Sequence, residues 1–291
     1  MNNSIIQDKL KDYNTSSIEQ ETNAIKEIVQ EIILYGLSTT GFFDQALFQG
    51  GTALRILYGL QRFSEDMDFI LKKKDSDFAW HKYIESIMAI CEEYGIIANV
   101  TDKSKANSSI QRLFIKDDSI GKLIDLSFKH QHGLSLTIKL EIDVNPPLGS
   151  SVETKYLDFP LVYAIQAQDL SSNFACKSHA LLCRPYVKGR DWYDFIWYVS
   201  KKIIPNLSLF QNAIDQAGPW EKQKIKVTSD WYISQLKNKI NEMDWVKAKA
   251  DVERFLNDRD RQQLSLWSKE LFMDRVHKLE KYMQGDPLNV L

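Results

Sequence analysis

The chain lacks most of what would place it in a specialised environment. Its 291 residues include three cysteines, Cys91, Cys176 and Cys183, which contain no CxxC pair and cannot all be disulfide-bonded within one chain. They are expected to be reduced, buried thiols. No apolar run approaches the length of a membrane span, and the opening MNNSIIQDKLKDYN has no basic stretch followed by an apolar core, so the expected location is the cytoplasm, away from any membrane. An excess of one charge is also missing. With 37 basic and 39 acidic residues the formal net charge is −2, which makes no general case for nucleic-acid binding and leaves room for a local basic patch over an acidic site. There is no internal repeat and no low-complexity tract. What remains is the composition of an ordinary globular protein, 44% hydrophobic and 26% charged, with seven tryptophans and twelve tyrosines that suit cores and base stacking alike. The length allows one large domain or two modest ones.

The most informative stretch is FQGGTALRILYGLQRFSEDMDFIL, residues 48–71. It predicts the end of a short strand over 46–49, a turn at Gly50 and Gly51, a helix opening at Thr52, and a second strand over 66–71. Adjacent glycines let the backbone approach a ligand closely. A helix N-terminus behind them aims unpaired N–H groups and the positive end of its dipole at that ligand, an arrangement that suits a phosphate. On the second strand side chains alternate, so Asp66 and Asp68 share a face with Cα atoms roughly 6 to 7 Å apart, while Met67 and Phe69 take the other. Two carboxylates this close repel each other. Either one takes up a proton, or a hard divalent cation relieves the repulsion, and Mg²⁺ characteristically uses one or two carboxylates and completes its shell with water and substrate phosphates.

Around this stretch the pattern of the chain changes twice. Apolar residues at helical spacing predict a helix over 17–37, capped by Ser16 or Ser17, and another from Phe78 to near Gly95. Lys72 to Lys74 form a charged turn, either solvated or with one lysine at a phosphate. From Ile96 to Val144 the pattern is that of strands, over 96–100, 111–115, 122–128 and 134–144. The last alternates cleanly, with Leu136, Ile138, Leu140, Ile142 and Val144 on one face and Thr137, Lys139, Glu141 and Asp143 on the other. Asp143, near its end, is either a surface acid or one able to reach the aspartate pair. His130 and His132 form an HxH with no matching Cys or His cluster to complete a metal site. Pro146 to Pro160 is expected to be the passage between domains, and helical signals follow, over 161–184, 191–202, 207–216, 220–240 and 244 to the end. An α/β domain followed by a helical one is the simplest architecture. In the helical half, Lys177, Ala180 and Arg184 share a helix face, and Asp191 follows in KGRDWYD with Asp194 one turn beyond.

Gly50-Gly51-Thr52 followed by Arg62-Phe63-Ser64-Glu65-Asp66-Met67-Asp68-Phe69 resembles the signature of the AbiEii/MenT nucleotidyltransferases, toxin components of abortive-infection toxin–antitoxin systems within the DNA polymerase beta superfamily. With the segments at Lys177 and Asp191, the resemblance covers about two thirds of the chain. It implies an α/β (α+β) nucleotidyltransferase core with a mixed β-sheet over 1–150 and an all-helical C-terminal domain over 151–291 that contributes Lys177 and Asp191 to the active-site cleft. It also implies Gly50, Gly51, Thr52, Arg62, Ser64 and Lys177 as nucleotide-binding residues, and Asp66, Asp68 and a third carboxylate, Asp143, as ligands for Mg²⁺ or Mn²⁺. Asp66, Asp68, Asp143, Lys177 and Asp191 are then the catalytic residues. The implied reaction moves a nucleoside monophosphate from a nucleoside triphosphate to an acceptor hydroxyl, with a tRNA 3′ end as acceptor and a cognate antitoxin as partner. Two other readings stay open: a small-molecule, antibiotic-type nucleotidyltransferase, which needs an acidic acceptor cleft, and a nucleotide-binding regulatory module without turnover. If the Lys177 ammonium faces a wet cleft, replacing it is expected to cost nucleotide binding and little thermal stability, with Lys188 as a neighbouring surface control.

Overall fold

The computed structural model describes residues 3–105, 108–129 and 133–285. Among them, seven strands form one mixed sheet: β1 (Ala46–Gln49), β2 (Asp66–Leu71), β3 (Asn99–Asp102), β4 (Ile110–Asp117), β5 (Leu136–Asp143), β6 (Val152–Leu157) and β7 (Tyr163–Gln168), in the order β3-β4-β5-β2-β1-β7-β6. β2 is antiparallel to β1 and parallel to β5, β7 is parallel to β1, and β4 is antiparallel to both β3 and β5. The helices are α1 (Asn3–Lys11), α2 (Ile18–Ser38), α3 (Phe42–Gln45), α4 (Gly50–Tyr58), α5 (His81–Glu93), α6 (Leu170–Cys183), α7 (Gly189–Ser200), α8 (Leu207–Gln216), α9 (Ser229–Asn241), α10 (Trp245–Glu253), α11 (Asp258–Gln263) and α12 (Lys269–Met283). This is an α/β core on a mixed sheet followed by an all-helical part. No described helix is long and apolar enough to cross a membrane, and none of the three cysteines forms a disulfide. His130 and His132 lie outside the described residues.

The chain forms two compact units, one reaching to Pro146 and resuming over Val152–Ala167, the other taking Pro147–Ser151 and everything from Gln168 onward. The division therefore falls later than position 150. The expected interdomain passage contains β6, and the helix expected from Leu161 begins with β7 instead. Tyr163, Ile165 and Ala167 are buried in alternation along β7. Tyr163, Ala167 and Leu170 also satisfy a three-to-four spacing, which a short alternating strand can share with a helix start. The strand expected over 122–128 does not form. Asp117 accepts hydrogen bonds from the Ser119 and Ile120 amides and turns the chain into a single 3₁₀ turn over Ile120–Lys122. Beyond it, the amides of Asp125 and Ser127 donate to the side chains of Gln7 and Glu21, so helices α1 and α2 satisfy backbone that a strand partner would otherwise have taken.

In the first unit the apolar positions of α2, from Ala24 to Leu37, are buried, and the Ser17 hydroxyl caps the helix by accepting from the Gln20 amide. The apolar face of β2 meets an aromatic cluster in which Phe42 stacks on Trp80 with centroids 5.7 Å apart and meets Phe69 edge-on at 5.0 Å. This packing fixes which way β2 faces. With Met67 and Phe69 buried at 0% and 1% exposure, Asp66 and Asp68 must face the other side. The helical unit is centred on its own aromatics. Phe174 of α6 stacks on Tyr198 of α7 at 4.3 Å, and Trp192 meets Trp245 and Phe272 edge-on.

Candidate active site

α4 begins at Gly50, after Gln49 in extended conformation. Gly50 has φ +77°, and a Cβ there would run into the Asp68 carboxylate, its Cβ atom lying only 2.9 Å away. A Cβ on Gly51 would meet the Arg62 guanidinium and lie 3.0 Å from Ser64 Oγ. The two glycines thus let β2 and the loop before it close directly onto the turn. Thr52 is fully buried, and its hydroxyl donates to the Asp66 carbonyl, tying the helix start to the strand start. Gln30 completes the support from α2, donating to the Ser64 and Glu65 carbonyls at 3.1 and 3.0 Å. Sequence reasoning missed this residue, because a glutamine on a helix carries no signal of its own.

Several residues expected at the nucleotide take a different place. Arg62 is 2% exposed and donates to the Phe63 carbonyl at 3.0 Å, so it sits behind the Gly-Gly turn and shapes it. Ser64 is half-buried beside it. With the Thr52 hydroxyl spent inside, the turn's contribution to a ligand comes from the backbone at the start of α4 and its dipole. Lys72 donates to the carbonyls of Phe43 and Asp44 at 2.8 and 3.0 Å, which gives it a structural role in the charged turn.

The acidic face spreads over three strands. Because β5 runs parallel to β2, Lys139 lies opposite Asp66, Glu141 opposite Asp68, and Asp143 one pair further on, opposite Ile70. Lys139 Nζ lies 3.1 Å from Asp66 Oδ2 and 3.1 Å from Glu141 Oε2, and Arg112 of β4, opposite Glu141, donates to its Oε1 at 2.6 Å. Burial alone would lower the Lys139 ammonium, and the carboxylates of Asp66 and Glu141 outweigh it and hold it raised. For Glu141 burial pulls upward, and the bonds from Arg112 and Lys139 hold the carboxyl below its ordinary value. Burial keeps the Asp143 carboxyl raised, against a hydrogen bond it accepts from the Asn145 amide at 2.9 Å. Glu141, Lys139 and Arg112 were not among the expected site residues. The alternation of β5 already showed Lys139 and Glu141 on the polar face, but which of its residues stands opposite Asp68 is a matter of register, and that is tertiary.

These donors suit a hard divalent cation. Asp66 and Asp68 are half-buried carboxylates on one face, and the lack of a side chain at Gly50 lets the Asp68 carboxylate press against the glycine turn. Among the described residues no group of three or more His, Cys, Asp or Glu side chains forms a ready-made metal cage. A two-carboxylate platform is what an ion that draws its other ligands from water and phosphate requires.

In the helical unit, Lys177 of α6 places its ammonium 2.9 Å from Asp191 Oδ1 and 2.9 Å from Asp194 Oδ2, and Arg184 donates to Asp191 Oδ2. The side chains of Lys177, Asp191 and Asp194 are 12%, 3% and 0% exposed. Lys177 is thus a buried ion-pair partner, and the expectation of an unengaged lysine in a wet cleft does not hold. Asp191 lies in the first turn of α7, whose N-cap is Lys188, and turns its carboxylate to the cations. Burial would raise that carboxyl, and Lys177, Arg184 and Lys188 outweigh it and hold it lowered. Lys188 is itself held low by burial, with Asp191 opposing, so it is no neutral surface control. A cavity of about 160 Å³ within this unit is lined by Arg184, Tyr186, Lys188, Asp191, Trp192 and Lys239 among others.

A strand, a glycine turn into a helix, and a returning strand with two carboxylates on a mixed sheet define a nucleotidyltransferase core. The chain belongs to the family described as nucleotidyl transferase AbiEii toxin, type IV TA system, whose model matches residues 32–275. Among curated proteins none matches it in sequence. Its structure is similar to that of a nucleotidyltransferase from H. pylori, with 18% identity, coverage of 89% of this chain and 92% of the other, and a TM-score of 0.46. It is also similar to JHP933 from Helicobacter pylori (18% identity, 90% of each chain, TM-score 0.47) and to MenT4, a nucleotidyltransferase toxin from Mycobacterium tuberculosis (14% identity, 95% and 98%, TM-score 0.49). The family assignment rests on the sequence match.

Proposed function

We propose that this nucleotidyltransferase toxin works in the cytoplasm, takes a nucleoside triphosphate as donor and transfers its nucleoside monophosphate to an acceptor hydroxyl at the 3′ end of a tRNA, restrained by a cognate antitoxin. The observation that carries the reading is the junction of Gly50 with Asp68: the glycine turn that starts helix α4 lies directly against the aspartate pair. In this reading Asp66 and Asp68 hold Mg²⁺ or Mn²⁺, which supplies charge neutralisation for the triphosphate. The helix start at Gly50, Gly51 and Thr52 orients the phosphates, with Arg62 and Ser64 shaping the turn from behind. The acceptor oxygen bonds to the α-phosphorus, the bond to the β-phosphate oxygen breaks, and pyrophosphate leaves.

Asp143 takes the proton of the acceptor hydroxyl, a role that its burial-raised carboxyl suits. Its position diagonal to Asp68 leaves Glu141 as the nearer third carboxylate. Lys177, anchored by Asp191 and Asp194, belongs to a group of cations with Arg184 and Lys188 that exceeds its two carboxylates by one charge, counting three against two. Such a surplus suits polyphosphate.

The test is transfer of label from an α-labelled nucleotide to total tRNA, with Asp66→Asn and Asp68→Asn as variants. Loss of transfer in both folded variants is expected. Label appearing only on small hydroxyl compounds would favour the antibiotic-type reading, and nucleotide binding without pyrophosphate release would favour the regulatory one.

A further inference from the structure

We propose that Lys139 is a built-in counter-ion of the carboxylate face, holding Asp66 in the metal-free protein and giving it up to an incoming divalent cation. The inference rests on the reading of Asp66 and Asp68 as metal ligands. On the face shared by β4, β5 and β2 stand four carboxyl groups, Asp66, Asp68, Glu141 and Asp143, and three basic groups, Lys139, Arg112 and Lys116. Glu141 and Asp68 stand directly opposite each other, the placement in which like charges on neighbouring strands repel. Without Lys139 nothing basic would stand beside Asp66 in that pairing, and Arg112 alone would hold Glu141.

Two details make this lysine exchangeable. Its contacts to Asp66 and Glu141 are both 3.1 Å, and the side chains of Lys139, Asp66 and Glu141 are 26%, 29% and 20% exposed, so water can replace either contact at low cost. Lys177, by contrast, is locked between carboxylates that are almost or wholly buried. Glu141 is held from its far side by Arg112, so an ammonium displaced from Asp66 keeps a partner and does not have to leave the face. A cation arriving alone must compete with Lys139 for Asp66. One arriving with triphosphate brings further ligands that tip the exchange. The device keeps the carboxylate face folded without metal and ties metal occupancy to nucleotide.

The test is calorimetric titration of the full chain with Mn²⁺, without nucleotide, comparing wild type with K139M, K139Q and K139R. The two neutral variants are expected to bind Mn²⁺ about tenfold or more tightly than wild type, the scale on which one close opposite charge biases a carboxylate. K139R is expected to bind like wild type. In EDTA the neutral variants are expected to melt about 2–6 °C lower, a gap that Mn²⁺ closes. If K139M does not fold, K139Q carries the comparison. Wild type binding Mn²⁺ with an affinity equal to that of the neutral variants would overturn the role of Lys139 and leave the metal site standing. Absence of binding by every form, including wild type with triphosphate present, would overturn the metal reading and the inference with it.

Discussion

Replacing Lys177 by methionine tests the buried cluster of the helical unit, and its effect can be worked from the geometry. The ammonium bridges two carboxylates at 2.9 Å, in a place where Asp194 is 0% and Asp191 3% exposed. Methionine keeps the stem and removes the charge. Asp191 retains Arg184, and Asp194 loses the ammonium 2.9 Å from it in surroundings that exclude water. Breaking one partner out of a buried ion pair costs about 3–5 kcal/mol. For a protein of this size each kcal/mol corresponds to about 2–4 °C, so K177M should melt about 6–20 °C below wild type at pH 7.

Two further arms isolate the cause. K177M/D194N should recover about half of the loss or more, because a neutral amide costs far less to bury than a carboxylate. Acid should narrow the gap as well. Asp191 is held low in the folded protein, so its contribution is present above its ordinary value of 3.8 and is lost as pH falls through the folded value; K177M, lacking the main cation responsible, starts with less to lose. Lys247→Ala, a change at a side chain 75% exposed, is the surface control. The assay is thermal and urea denaturation at pH 7 and at pH values stepped downward from 3.8. A K177M midpoint within about 2 °C of the control at pH 7 would refute the buried-pair account.

Other perturbations follow from the same geometry. Gly50→Ala should lower triphosphate affinity and stability together, by at least the ~1–2 kcal/mol that a left-handed backbone costs an L-residue, since its Cβ displaces Asp68; unchanged affinity in a nucleotide titration would sink the cradle assignment. Thr52→Val should cost about 1–3 kcal/mol by leaving the Asp66 carbonyl without its buried donor, read as a lower urea midpoint with unchanged slope. Glu31, 8% exposed and 3.6 Å from Lys9, is pushed by burial from 4.5 to about 7. A raised carboxyl favours its neutral form on folding, so stability should fall as pH rises from 4.5 to 7; Glu31→Gln should remove that slope and gain about 2–3 kcal/mol at pH 8, measured by urea denaturation across pH.

What could be read directly from the residues was local. Gly50-Gly51 before a helix, the alternation that sets Asp66 and Asp68 against Met67 and Phe69, and the polar face of β5 each depend on a handful of neighbouring positions, and periodicity of 3.6 or 2 encodes them without reference to the rest of the chain. The strand–turn–helix–strand unit and the family to which it belongs were therefore legible from the start.

The tertiary structure decided everything that needed a second segment. Whether Asp143 or Glu141 stands opposite Asp68 depends on a parallel register between strands 70 residues apart, and a shift of two residues would leave the alternation intact while exchanging the acids. Val152–Leu157 and Tyr163–Gln168 are strands because they pair into the far side of the sheet, beyond β1, a placement that needs the rest of the sheet. Arg62 was turned inward by the space at Gly51, and Lys177 was buried by two carboxylates of the next helix. A charged side chain carries no mark of its own burial. Its environment is set by the groups that fold against it, and those are distant in the chain.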